Sequence, residues 1–101
     1  FLQGVLVSQK LKDQEYFLKW RQDLNDWRNF CQSENLKPYE ACIRFILEVD
    51  FLDGYTLGVG SLKELQEIAS IITKLDATGQ LNAYDNFRTN DLNLIDPRRW
   101  P

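Results

Sequence analysis

The sequence predicts an α/β fold, and two kinds of pattern in its 101 residues support this prediction. Two short apolar runs, residues 1–7 and 55–59, have the length and the bulky or β-branched composition of buried strands. Elsewhere, apolar residues recur at steps of three and four, which is the period of one face of an α-helix. The predicted order is strand, helix, helix, strand, helix and an irregular tail.

Length and composition bound the class of protein. A chain of 101 residues, 44% of them apolar, holds one small domain and is able to bury a core. Twelve basic residues stand against fifteen acidic ones, so we expect no nucleic-acid binding. The apolar runs are too short to span a membrane, and the first residues lack the features of a secretory signal.

The first predicted strand raises two questions. The chain begins inside it, at Phe1, and contains no methionine. We therefore expect a trimmed part of a longer protein, with proteolytic processing or further residues upstream as the alternatives. The pair Gln3 and Gly4 lies within the same run, and a glycine inside a strand marks a bulge or a close approach to the backbone. A simple bend is the alternative.

The first helix is predicted over about 14–32. Its apolar positions form a single stripe: Phe17, Trp20, Leu24, Trp27 and Cys31. The tryptophans and Phe30 could form a binding platform, but their helical spacing favours core packing. Cys31 and Cys42 have no histidine or CxxC pair to join, so we expect two small core residues in a reducing cytoplasm and no metal site or disulfide.

Two more helices follow. Pro38 suits the first turn of a helix over about 38–49, and residues 50–54 are a predicted turn. After the second strand, Ser61 and Glu64 form the Ser-x-x-Glu pattern of a capping box, which starts a helix over about 61–76. The predicted buried stripe of this helix consists of Leu62, Leu65, Ile68, Ala69, Ile72 and Leu75.

The sharpest candidate site is the junction Gly58-Val59-Gly60-Ser61 between the second strand and the third helix. Small residues admit a ligand to the backbone, and the free N–H groups of a helix start attract an anion such as phosphate. The alternative is an ordinary turn in which Ser61 only caps its helix. The chain has no histidine and none of the common hydrolase or nucleotide-binding motifs, so we expect no catalytic residue.

Three segments resemble the C-terminal part of the aldo/keto reductase family. The family signature is similar to ACIRFIL at 41–47 followed by YTLGVGSLKELQEI at 55–68. The preceding strand of the family is similar to FLQGVL at 1–6. A bacterial subgroup, which often accompanies nucleotide-sugar or surface-polysaccharide genes, has a tail similar to NDLNLIDPRRW at 90–100.

This resemblance implies a fragment of a (β/α)8 barrel, namely its last two strands with their helices over residues 1–80 and an irregular tail over 81–101. Such a fragment is expected to be mainly helical in isolation. The implied parent exchanges hydride with NADP or NAD and acts on a small carbonyl or sugar-like substrate. The family's catalytic residues precede this part, so the fragment itself is expected to be inactive.

By position, the resemblance assigns cofactor contacts to six residues. The pyrophosphate would lie along Gln3 and Gly4, and the adenosine phosphate end would be held by Gly58, Gly60, Ser61 and Glu64. Many relatives grip the 2′-phosphate with an arginine shortly after the serine. Here Lys63 offers charge without a bidentate fork, so NADP and NAD both remain open.

Two alternatives come from other classes of protein. One is a helical interaction module that docks a partner through the stripe of Trp20 and Trp27. The other is a catalytically dead barrel with a scaffold role. In the isolated chain, the two predicted strands would have no neighbours and would leave backbone and apolar side chains exposed, so we expect this chain to self-associate.

Overall fold

The computed structural model describes residues 1–74 and 81–101. Within them lie four α-helices: α1 (Arg21–Ser33), α2 (Pro38–Leu47), α3 (Leu62–Lys74) and α4 (Leu92–Ile95). Short 3-10 helices cover Leu2–Gly4, Leu11–Asp13, Glu15–Trp20, Leu81–Phe87 and Pro97–Arg99. The described residues contain no strand, and none of their helices is long and apolar enough to cross a membrane.

The predicted α/β fold, and with it the fragment of a (β/α)8 barrel, is therefore wrong. The first apolar run bends back on itself, because Gly4 N–H donates to Phe1 O at 3.0 Å and Ser8 N–H donates to Gly4 O at 2.7 Å. Gly4 has a φ of 89°, a conformation that glycine adopts without strain. A strand needs a neighbour for its backbone N–H and C=O groups, and this run closes turns instead.

The second predicted strand, 55–59, is also wrong. The segment has no regular secondary structure, and the side chains of Tyr55 and Val59 are exposed. With no strand beside it, the segment has no ladder to join and lies at the surface.

The prediction of the first helix is confirmed, with its first turns wound as the 3-10 helix Glu15–Trp20 and the rest as α1. All five residues of the predicted stripe are buried: Phe17, Trp20, Leu24, Trp27 and Cys31. The helix ends where Asn35 takes a φ of 54° and Leu36 N–H donates back to Cys31 O at 2.9 Å. A left-handed residue with this backward bond is a common helix stop.

Side chains of α1 hold the N-terminal turns in place. The Trp27 indole donates to Leu6 O at 3.0 Å. The Arg28 guanidinium donates to Ser8 O and, within its own helix, to Leu24 O at 3.0 Å. Burial lowers the pKa of Arg28, although the charge of Asp13 opposes this shift. These bonds give carbonyls of a strandless segment their partners.

Two hydrophobic clusters grow from the same stripe. The first cluster contains Val5, Phe17, Trp20, Leu24 and Leu94. The second cluster contains Trp27, Cys31, Ala41, Cys42 and Tyr84. The tryptophans thus pack in the core, as their helical spacing predicts, and both cysteines are buried free thiols.

The tail is tied to the start of α1 through α4. Asp91 caps α4 by accepting from Asn93 N–H at 3.0 Å, and it also accepts from the Trp20 indole at 3.1 Å. These bonds, that from Asn93 first, hold the pKa of Asp91 below its ordinary value. The Tyr16 hydroxyl and the Trp100 indole both donate to Asn93 O, at 2.8 and 3.1 Å.

The other helices form a second layer. α2 begins at Pro38, as predicted, and packs between α1 and α3. Its buried residues are Ala41, Cys42 and Ile43, whereas Phe45 is 42% exposed. The predicted buried stripe of α3 is wrong in most of its positions, because Ile68 alone among the described residues of that helix is buried. The predicted position Leu75 lies outside the described residues.

Replacing Arg28 by lysine tests how the N-terminal turns are held. Lysine keeps the charge and the apolar stem but loses the fork that reaches two carbonyls. We expect Arg28→Lys to lower the free energy of unfolding by about 1–3 kcal/mol, because partly buried acceptors lose their donor. Urea denaturation followed by circular dichroism measures this loss.

Arg21→Lys is the matched control, since Arg21 lies on the same helix and pairs with Asp13 at the surface, at 2.8 Å. An exposed ion pair contributes less than about 1 kcal/mol, so this variant should unfold almost as the wild type does. Equal losses in the two variants would contradict the role given to Arg28.

Candidate functional site

The start of α3 carries most of the residues assigned to a cofactor. Ser61 Oγ accepts from Glu64 N–H at 3.1 Å, which confirms the predicted cap in one direction. The return bond differs from a capping box, because the Glu64 carboxylate accepts from Gly60 N–H at 2.6 Å and not from Ser61. One N–H that a phosphate would use is therefore already bonded to a carboxylate of the chain itself.

The glycines at this helix start differ in their surroundings. A Cβ on Gly58 would meet no atom within 4 Å, whereas a Cβ on Gly60 would lie 3.4 Å from the Glu64 carboxylate. Gly58 thus leaves room for a ligand beside the backbone, and Gly60 leaves room for the side chain of Glu64.

The other assigned pair, Gln3 and Gly4, belongs to the N-terminal turns. Both have a positive φ, 52° and 89°, and a Cβ on Gly4 would lie 3.4 Å from Leu11. Gly4 is thus explained by its turn. The ring of Tyr39 packs edge-on against Phe1 at 5.8 Å, and burial, followed by the charges of two glutamates of α3, raises its pKa. Each of the two assigned groups has hydrogen bonds of its own, and the contact of either group with a cofactor stays a prediction.

A half-open cleft of about 630 Å³ lies between α1, α2 and the segment 84–89. This volume is in the range of small-molecule sites. Aromatic rings form much of its wall, with Tyr84 5.3 Å from Phe45 and Trp27 5.3 Å from Phe87. Carboxylates lie at its edge on both sides: Asp23, Asp26 and Asp85.

The thiol of Cys42 and the phenol of Tyr84 in the cleft wall are held in their neutral forms. Burial raises the pKa of Cys42 to about 12. Burial, followed by the charge of Glu48, raises the pKa of Tyr84 to about 12. A thiol with such a pKa is almost entirely protonated at neutral pH, and the thiol form is a poor nucleophile. The cleft therefore offers apolar and aromatic contact surface without an activated nucleophile.

Glu48 is a buried carboxylate that the sequence analysis missed. It ends α2 with 7% of its surface exposed, and neither of its oxygens accepts a hydrogen bond within the described part of the chain. In the sequence, Glu48 follows Arg44 by four residues, and this spacing predicts that the two opposite charges lie close together on the helix. That spacing is the signal that could have identified Glu48.

Most of the large hydrophobic side chains that are exposed within the described residues lie on α3 or shortly before it. Nine of the eleven large hydrophobic side chains exposed within the described residues fall between positions 45 and 72. On α3, Leu62 is 69%, Leu65 50% and Ile72 40% exposed. Together with the exposed Ala69, these residues follow one another at steps of three, four and three. We call Leu62, Leu65, Ala69 and Ile72 the α3 seam.

Two carboxylates of the C-terminal part have structural partners. Asp85 pairs with Arg88 at 3.7 Å, and Asp91 caps α4. Within residues 1–74 and 81–101, no three cysteine or carboxylate side chains gather as a metal site requires.

Comparison with known proteins gives no relative to draw on. No family model, no curated protein and no solved structure matches the chain. The cleft, the start of α3 and the α3 seam are therefore the features from which a function can be inferred.

The buried thiols and Tyr84 predict a loss of stability at alkaline pH. Burial raises the pKa of Cys42 from its ordinary 9.0 to about 12. The unfolded chain therefore gives up this proton first, and stability that is complete below about pH 9 falls as the pH rises towards 12. We expect the urea midpoint to fall less between pH 8 and pH 10.5 in Cys42→Ala than in the wild type.

Ile43→Val is the control, because Ile43 is a fully buried neighbour that does not titrate. It should lower stability by about 0.5–1.5 kcal/mol at both pH values and keep the pH dependence of the wild type. An unchanged pH dependence in Cys42→Ala would show that this thiol is not the cause.

Proposed function

We propose that this chain is a non-catalytic helical docking module, which binds a second protein molecule through the α3 seam. The exposure of the seam carries the proposal. Leu62, Leu65 and Ile72 are exposed on one helix, while Ile68 on the adjoining stripe is buried and the helix packs against α2. An apolar stripe of this kind marks an interaction site more often than an ordinary surface.

The energetics of the seam support this role. Burying a leucine or isoleucine side chain contributes about 1.5–3 kcal/mol, so three half-exposed side chains provide a substantial driving force for docking. The helix is already formed, so that binding does not need to order it. The cleft supports the non-catalytic part of the proposal, since its thiol and phenol are held protonated.

The net charge and the free thiols support a class of partner and a cellular compartment for the module. The net charge of −3 favours a protein partner over a nucleic acid. Two buried free cysteines, Cys31 and Cys42, suit a reducing compartment, and we place the protein in the cytoplasm.

Binding of a helical probe tests the docking role. The probe is a synthetic peptide of three heptads with leucine at every a and d position. We expect it to bind the dilute protein, and we expect Leu65→Gln to raise the dissociation constant at least tenfold, which is about 1.4 kcal/mol. Fluorescence anisotropy of the labelled peptide measures both values.

Leu92→Gln is the matched control, because Leu92 is exposed to the same 50% as Leu65 but lies on α4. It should bind the probe as the wild type does. If the probe does not bind, or if the two variants bind equally, the α3 seam is not a docking surface.

A second candidate function is favoured by the start of α3. There the chain would contribute cofactor contacts, and no catalytic residue, to an NAD(P)-dependent oxidoreductase acting on a small carbonyl or sugar-like substrate. The favouring observation is the open space beside Gly58, three residues before the serine that caps α3. A dinucleotide phosphate would have to displace the Glu64 carboxylate from Gly60 N–H.

Calorimetric titration of the intact oxidoreductase with NADP and with NAD tests this second candidate, because this chain would supply only part of the cofactor site. Ser61→Ala should weaken binding and remove a helix cap, which costs about 1 kcal/mol of stability. Ser33→Ala is the control, since the Ser33 hydroxyl donates to Phe30 O at the end of α1, away from this helix start. Absence of heat with both dinucleotides would exclude the cofactor role for this chain.

A further inference from the structure

We infer that the occupant of the α3 seam is a second copy of this chain, whose α3 lies antiparallel to the first. This inference rests on the proposed docking role and names the partner. Its basis is the self-complementary order of side chains along α3.

The spacing of the seam is that of a two-helix packing surface. Steps of three, four and three place Leu62 and Ala69 at a positions and Leu65 and Ile72 at d positions of a heptad. A strict a and d stripe is the narrow surface along which two helices pair, with each side chain filling a hole in the facing helix.

The seam matches itself in the antiparallel sense without a shift. With the twofold axis passing beside residue 67, Leu62 faces Ile72 of the second copy and Leu65 faces Ala69 of the second copy. Each layer then joins an a position to a d position, and the central layers set a large side chain against a small one. The same patch serves on both copies, as a closed dimer requires.

The helix dipoles favour the same orientation, because antiparallel dipoles attract, whereas a parallel pair would place like ends together. The charged residues of α3 lie at the b, c and f positions, away from the seam, and do not select an orientation: Lys63, Glu64, Glu67 and Lys74. Beside the seam, Gln66 and Thr73 are neutral, so no charge needs to lose its water when the helices meet.

Cysteine pairing tests the register. Leu62→Cys and Ile72→Cys are prepared separately, and the native thiols do not compete because both are buried. We expect a disulfide to form when the two variants are mixed and oxidised, and neither variant to cross-link alone. In the antiparallel pair, identical positions are ten residues apart along the axis, about 15 Å, which is too far for a disulfide.

Cross-linking of each variant with itself would show a parallel pair and overturn the orientation. Absence of any cross-link would overturn the pairing.

Sedimentation equilibrium tests the pairing without new thiols. We expect a monomer–dimer equilibrium whose dissociation constant rises at least tenfold in Leu65→Gln and is unchanged in Leu92→Gln. A monomer at every concentration, combined with binding of the helical probe, would refute the second copy as occupant and leave the docking role intact. A monomer that does not bind the probe would refute both.

Discussion

One buried stripe along a single helical segment supports the whole structure. From Phe17 to Cys31 the chain turns the same face inward, and all five stripe residues are buried. Phe17, Trp20 and Leu24 build the first cluster, and Trp27 and Cys31 build the second. The apolar surface of a helix is a narrow stripe and not a flat face. The rest of the chain therefore packs around this helical segment.

The indole N–H groups of the stripe determine which segments of the chain pack against which part of it. An indole ring has apolar faces and a single N–H donor, and a donor that is buried needs an acceptor. Trp27 finds it in the N-terminal turns, at Leu6 O, and Trp20 finds it in the tail, at Asp91. Both chain ends are thereby fixed to the helical segment that carries the stripe, while α2 packs against α1 and α3 packs against α2.

The sequence allowed the helices to be predicted better than their environment. Local periodicity identified the segment from 14 to 32 and its buried face, because that face meets its partners within this chain. The strands at 1–7 and 55–59 failed because pairing depends on a distant neighbour, which composition does not reveal. The apolar stripe of α3 was identified but was assigned to the core. An apolar helix face predicts that the face is covered, but it does not identify the partner that covers it. The assigned cofactor residues remain predictions, although the cap at Ser61 follows from local pattern and is present.

Amide hydrogen exchange, read residue by residue by NMR on dilute protein, tests this account most directly. Amides of α1 between Leu24 and Cys31 should exchange most slowly, near the rate set by global unfolding, because both clusters depend on them. Amides of α3 should exchange faster through local opening, and those of 55–59 should be unprotected. Strong protection across both 1–7 and 55–59 would reveal paired strands and contradict a structure organised by the α1 stripe.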